Sequence, residues 1–234
     1  MVKQFIRTAT KYRGLQETER IRHTLAATRR AGWPYCPDDE GDVLFRFAQM
    51  AEGQPALEVG FATGSTAAYI LSGLGSGHLT SIDYDQNHFE RAGDKLISSM
   101  GFSPRHRLVE KNSTQVLPAL LESGARFGLV FLDGWKTFDH LWVDAFYAAR
   151  MLNLGGHMVL DDAGMPAVRK CMSLLRRYYQ FQDVDSYRHI GGTRLRAWHL
   201  LTTRSARRPY VVLQKTVNVE QTEAGRTFDF WTRF

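Results

Sequence analysis

The sequence predicts an α/β fold: a doubly wound, mostly parallel sheet with an N-terminal helical cap and an antiparallel strand near the C-terminus. Three observations carry this. From residue 56 onward, short apolar runs of strand length alternate with longer segments of helical period. The run Gly128–Asp133, GLVFLD, is almost wholly apolar, as a strand covered by helices on both faces must be. Two β-like runs, Trp198–Thr202 and Tyr210–Lys215, are separated by a polar loop too short for a crossover helix, so they are expected to pair antiparallel.

The elements follow in order. Residues 4–31 read as one helix or two, with Leu15, Ile21, Leu25 and Ala26 as a loose apolar stripe among arginines. Trp33-Pro34 ends that region, because the residue before a proline resists the helical conformation. Pro37-Asp38-Asp39-Glu40 reads as a helix start, with proline early and acids against the helix dipole; Leu44, Phe47, Ala48 and Ala51 follow as its apolar face. The first strand is Ala56–Gly60, and its helix is Ser65–Leu74. The second strand is His78–Asp83, followed by a helix with Asp85 as N-cap and Phe89, Ala92, Leu96, Ile97 and Met100 on one face. The third strand is Arg107–Glu110, with a helix through Val116, Leu117, Leu120 and Leu121. The fourth strand, Gly128–Asp133, leads to a helix over Phe138–Leu152. The fifth, Gly156–Asp161, leads to a helix from about Pro166 to Tyr179.

This order divides the 234 residues into a helical cap (1–54), a core (55–217) and a C-terminal tail (218–234). A hydrophobic fraction of 44% supports a sizeable core. No apolar run approaches the roughly 20 residues of a membrane span, and the basic N-terminus lacks an apolar core with a cleavage site, so the chain reads as cytoplasmic. Cys36 and Cys171 have no metal-ligand spacing and read as two reduced thiols. The net charge of +6 is scattered; it permits an acidic or nucleic-acid partner without requiring one, and nucleic acid is disfavoured. The aromatics of the tail (Phe228, Phe230, Trp231, Phe234) suit docking on the body or on a second copy, hence a homodimer.

The first loop carries the most information. Glu58-Val-Gly60-Phe-Ala62-Thr-Gly64-Ser65 joins a strand end to a helix start, where backbone N–H groups point outward and are free to hold a ligand. Asp83, at the end of the second strand, suits the hydroxyls of a ribose. A dinucleotide fingerprint would need G-x-G-x-x-G; here Ala62 stands in the second glycine slot, so the spacing does not fit a pyrophosphate cradle. The motif Glu58-x-Gly60-x-x-x-Gly64 resembles instead the first motif of class I S-adenosylmethionine-dependent methyltransferases, and so does the antiparallel ending. The resemblance covers about residues 56–215. It implies a seven-stranded Rossmann-like sheet and a site for S-adenosylmethionine built from Glu58, Gly60, Ala62, Gly64, Ser65 and Asp83. Asn112 and Ser113 would border the adenine, and Asp133 would close the site.

Two further stretches carry chemistry. Asp133-Gly-Trp-Lys136 follows the fourth strand, and Asp161-Asp162 ends the fifth. If these strands are neighbours, their ends lie about 5 Å apart and three carboxylates crowd one spot. Hard oxygen ligands suit Mg²⁺ or another divalent cation; the other reading has Asp133 and Asp162 as loop or N-cap residues and Asp161 holding backbone N–H groups. The pattern resembles metal-dependent O-methyltransferases of the catechol and macrolide-sugar type. That resemblance implies a cation on Asp133, Asp161 and Asp162, Lys136 as the base, and a small hydroxylated acceptor. Asp162 departs from the catechol enzymes, which usually carry Asn there. His140, one helical turn after Lys136, is a second candidate base. The alternatives are a metal-independent or N-directed methyltransferase, a nucleic-acid methyltransferase using Arg169–Arg177, and a cofactor-binding protein without turnover. Acceptor specificity is expected in the cap and around His189–Thr193.

Overall fold

The computed structural model describes residues 16–51, 53–184 and 209–218. The expectations for residues 4–15, Trp198–Thr202, His189–Thr193 and the tail aromatics lie outside the described residues.

The helices are α1 (residues 16–28), α2 (Asp38–Met50), α3 (Ser65–Gly73), α4 (Ala92–Ser99), α5 (Ser113–Glu122), α6 (Phe138–Met151) and α7 (Pro166–Tyr179). The strands are β1 (Ala56–Val59), β2 (Leu79–Asp83), β3 (His106–Glu110), β4 (Phe127–Leu132), β5 (Leu152–Leu160), β6 (Gln182–Asp183) and β7 (Val211–Gln214). They form one seven-stranded sheet in the order β3-β2-β1-β4-β5-β7-β6. The first five strands are parallel, and β7 enters antiparallel between β5 and β6.

Alternation along the strands splits the core in two. Leu57, Val59, Val130, Leu132, Met158 and Leu160 face one side, where Leu117, Ala145, Ala148, Cys171 and Leu175 from α5, α6 and α7 cover them. Ala56, Leu129, Phe131 and Val159 face the other, under Phe47, Ala68, Ile70 and Leu96 from α2, α3 and α4. The cap thus shares a core with the sheet: Ile21 of α1 and Leu44 of α2 are fully buried on that face. Cys36 and Cys171 are both free thiols.

Three local expectations change. The helix expected after β2 is two pieces, a 3₁₀ turn (Asn87–Phe89) and α4, separated by Glu90 and Arg91 in the left-handed region (φ 48° and 54°). Asp85 is not the N-cap, which is Gln86; its Oδ1 accepts from Asn87 N at 2.9 Å in a turn just ahead of the short helix. The break is held by ion pairs from far along the chain: Arg30 to Glu90 at 2.8 Å and Arg91 to Glu110 at 2.6 Å. Strand β5 begins four residues earlier than expected, directly after α6. Gly155 (φ 79°) bends it, and the peptide N–H groups of Gly155 and Lys215 exchange hydrogen bonds with Lys215 O and Gly156 O. Leu152, where the strand starts, pairs with Phe127 of β4, and Gly155 and Gly156 pair with the continuation of β7; spacing along the chain reveals neither partner. Finally, the short strand β6 was not expected at all; its backbone pairs with β7 over two residues.

Parallel register aligns the strand ends. Val59 sits opposite Ile82 and Leu132, and Leu132 opposite Leu160. Gly60, Asp83, Asp133 and Asp161 therefore emerge along one edge of the sheet, the edge where ligands bind in this class of sheet.

Candidate active site

The first loop leaves β1 at Gly60 with φ 95°, and Gly64 has φ 75°. A side chain at Gly60 would meet the backbone of Asp133, with Cβ 2.3 Å from its carbonyl oxygen, so only glycine lets these two loops touch. Ala62 also has positive φ, 45°. Asp83 braces the loop from β2: its Oδ2 accepts from Phe61 N at 2.8 Å and Ala62 N at 2.6 Å. The loop is tied to the cap as well, since Ser65 Oγ accepts from Cys36 N at 2.9 Å and Thr63 donates to Pro34 O at 2.7 Å.

Glu58 lies inside the protein, fully buried beneath the loop. The hydroxyls of Thr66 on α3 and Ser81 on β2 donate to its two oxygens at 2.5 and 2.6 Å. Burial pushes its carboxyl up to about 8, against the pull of those two bonds. Ser81 Oγ is also 2.9 Å from His106 Nε2, whose own value burial lowers to about 4. Glu58 thus joins strand and helix under the loop.

Next to the loop is a cavity of about 770 Å³. Of the residues expected at a cofactor, Gly60, Asp83, Asn112 and Ser113 line it, with His140 at its wall. Glu58, Ala62, Gly64, Ser65 and Asp133 are not among its walls. Asn112 caps α5, its Oδ1 accepting from Thr114 N at 3.0 Å. Sequence reasoning missed Tyr84, His88, Phe89 and Lys111, which also line the cavity together with Trp135. Tyr84 and Trp135 are 75% and 68% exposed. A large aromatic directly after a strand-end acid is the one local signal that would have found Tyr84. Trp33 of the cap packs edge-on against Phe89 at 5.9 Å, whereas Trp142 stacks between Phe138 and Tyr179 away from the cavity.

Beyond Gly60, the strand ends bring the acids together. Asp133 N donates to Val59 O at 2.8 Å and Asp161 N to Leu132 O at 3.2 Å. One carboxylate oxygen from each of Asp133, Asp161 and Asp162 lies within 4.8 Å of the others. Asp162 reaches the group from a left-handed backbone (φ 54°), an uncommon conformation for a non-glycine residue. Lys136 Nζ bonds Asp133 Oδ1 and stands 3.7 Å from Asp162 Oδ2. Burial raises the Asp133 and Asp161 carboxyls above the usual carboxylate range; for Asp133, Lys136 opposes the shift and the Asp161 charge adds to it. The donor set is all hard oxygen, suited to a divalent cation such as Mg²⁺. His140 Nδ1 lies 3.1 Å from Thr137 Oγ1 and 3.4 Å from Asp139, and its ring tilts against Trp135.

Glu40 is the acid that sequence reasoning read only as part of a helix start. It comes from α2, is 4% exposed, and contacts Asp161. Burial, with the charges of Asp161 and Asp133, raises its carboxyl strongly. No local signal separates it from its neighbours Asp38 and Asp39.

On α7, Arg176 forms a bidentate pair with Asp183 at 2.9 and 2.6 Å, and Lys170 sits over the Phe138 ring at 4.7 Å. Among the described residues no helix is long and apolar enough to cross a membrane.

Residues 57–163 match the family described as a methyltransferase domain. A Mycobacterium ulcerans protein, named provisionally as an O-methyltransferase, is 31% identical over 137 residues, 55% of this chain and 59% of that protein. The matched part thus spans less than two thirds of such relatives. Among solved structures, the O-methyltransferase TomG from Streptomyces achromogenes, involved in tomaymycin synthesis and bound to S-adenosylmethionine, has a TM-score of 0.60 at 15% identity. That likeness covers 86% of this chain and 90% of TomG. An O-methyltransferase from Bacillus cereus in complex with S-adenosylhomocysteine has a TM-score of 0.60 at 14% identity, over 72% and 82% of the two chains. At these identities the likeness shows the fold.

Proposed function

We propose, from a chain that carries a methyltransferase domain on the class I S-adenosylmethionine-dependent fold, that it is a divalent-metal-dependent O-methyltransferase of a small hydroxylated molecule. The observation that carries the metal-dependent reading is the trio Asp133, Asp161 and Asp162, joined by Lys136, on the sheet edge beside the Gly60–Asp83 cavity.

In this reading the cavity holds S-adenosylmethionine, which supplies an electrophilic methyl on its sulfonium. Asp83 and Gly60 would meet the ribose and methionine end, with the rest of the loop to Ser65 supporting them from behind, and Asn112 and Ser113 would border the adenine. Tyr84 and Trp135 offer flat faces to the base. Asp133, Asp161 and Asp162 would hold the cation, whose charge lowers the pKa of an acceptor hydroxyl. Lys136 Nζ, with only 14% of its side chain exposed, would take the hydroxyl proton in its unprotonated form. Lys136 lies in the loop before the helix and not, as expected, one turn before His140 on a helix face; His140, in the first turn of α6, is the second candidate. Alignment of oxygen and methyl, rather than covalent help from the protein, then supplies most of the rate. The acceptor and a cytoplasmic setting are part of the same proposal.

The test is methyl transfer from labelled S-adenosylmethionine to a panel of mono- and vicinal-dihydroxy compounds, with EDTA and then Mg²⁺. The reading requires activity lost in EDTA and restored by the cation. One observation favours a second reading, a metal-independent methyltransferase: the Lys136 ammonium itself pairs with Asp133 and lies 3.7 Å from Asp162 Oδ2. Full activity in EDTA would establish that reading.

A further inference from the structure

Glu40 is out of place for an acid in the first turn of a helix. Acids there normally face water and the helix dipole, as Asp38 does, exposed and 3.6 Å from Arg22. Glu40 instead is turned inward and almost completely buried. Its position is set by packing. Gly41, the next residue, lies flat on the Tyr69 ring of α3, where a Cβ would come within 2.5 Å of a ring carbon. That close approach clamps α2 on α3 and presents Glu40 to the strand ends.

At its tip, Glu40 meets Asp161 and feels the charge of Asp133. No donor from any described residue reaches its Oε1. Lys136, the cation at the trio among the described residues, is engaged with Asp133 and Asp162. A buried carboxyl oxygen without a donor is costly to keep. Neither helix formation nor core packing requires an acid at this position.

We propose that Glu40 is a positioning residue: from the cap helix, it holds the Asp161 carboxyl in the orientation that binds the divalent cation. The inference rests on the metal-dependent reading above. Partners behind a metal ligand set its direction, and their loss typically weakens metal binding about 10- to 100-fold. The assignment also ties the cap to the proposed metal centre through one side chain.

The test uses the full chain without cofactor and reads Mn²⁺ binding by electron paramagnetic resonance, which needs no turnover. Four variants are compared with the parent: Asp161→Asn, Glu40→Leu, Glu40→Ala and Glu40→Gln. Asp161→Asn should abolish binding. Glu40→Leu and Glu40→Ala should weaken it about 10- to 100-fold, and Glu40→Gln, which keeps shape and a hydrogen-bond donor, should stay within about threefold of the parent. Melting of the metal-free proteins should show Glu40→Leu at least as stable as the parent, because a desolvated acid is removed; the alanine variant serves if leucine overfills the site. If Asp161→Asn loses Mn²⁺ while Glu40→Leu and Glu40→Ala bind it like the parent, the role of Glu40 is overturned and the metal reading stands. A glutamine variant as weak as the alanine variant overturns positioning in favour of a charged ligand. A parent chain that binds no Mn²⁺ overturns the metal reading, and the role of Glu40 with it.

Discussion

Gly60 and Asp133 touch through their backbones, so closely that a Cβ on Gly60 would lie 2.3 Å from the Asp133 carbonyl oxygen. The loop beside the cavity and the loop bearing the first acid of the trio are therefore one packed unit. Gly60→Ala forces both apart and also strains a backbone at φ 95°. It should destabilise the chain by about 2 kcal/mol or more. Calorimetric titration with S-adenosylhomocysteine should show affinity lost in the folded fraction; unchanged affinity and melting temperature would refute the contact.

Lys136 is placed to move a proton, so its removal should slow chemistry rather than binding. Lys136→Met is expected to lower kcat by about 10²- to 10⁴-fold. Affinity for S-adenosylhomocysteine should change less than about threefold, because Lys136 is not among the cavity walls. A small kcat effect would pass the role of base to His140, tested in the same way with His140→Ala.

Trp135 is 68% exposed and lines the cavity. Trp135→Ala should leave the melting temperature nearly unchanged. It should weaken S-adenosylhomocysteine binding about tenfold, the scale of one stacked ring. Loss of stability without loss of affinity would make Trp135 a packing residue.

Glu58 predicts a pH dependence of stability. Its folded value of about 8 lies above that of the unfolded chain, near 4.5, so the folded state holds the extra proton between those values. A raised acid contributes stability that is fully present below about 4.5 and is lost as pH rises through about 8. Against Glu58→Gln, the parent should lose stability on the order of a few kcal/mol across that window. Urea denaturation of both proteins at pH 5 and pH 8.5 measures this. An equal gap at both pH values would show that Glu58 is charged throughout.

The alternation of strands and helices was legible because each element carries its own pattern. Ala56–Val59, Phe127–Leu132 and Pro166–Tyr179 lie where period and punctuation put them. The break at Glu90 and Arg91 was not legible, because Arg30 and Glu110 hold it from distant parts of the chain. The early start of β5 likewise depends on distant partners, Phe127 opposite Leu152 and Lys215 opposite Gly155 and Gly156. In the site, Asp83 illustrates the limit: the sequence marks an acid at a strand end, but only the fold reveals it accepting from Phe61 N and Ala62 N.

By itself, then, the sequence determined the order of elements, the glycine loop and the acids at strand ends, since these are properties of spacing over a few residues. Tertiary structure alone decided which acids meet. Parallel register carried Asp133 and Asp161 to one edge, and the Gly41–Tyr69 contact turned Glu40 inward while Asp38 stayed in water. The physical reason is that local pattern specifies conformation, whereas a site is a convergence of distant residues that only packing can bring together.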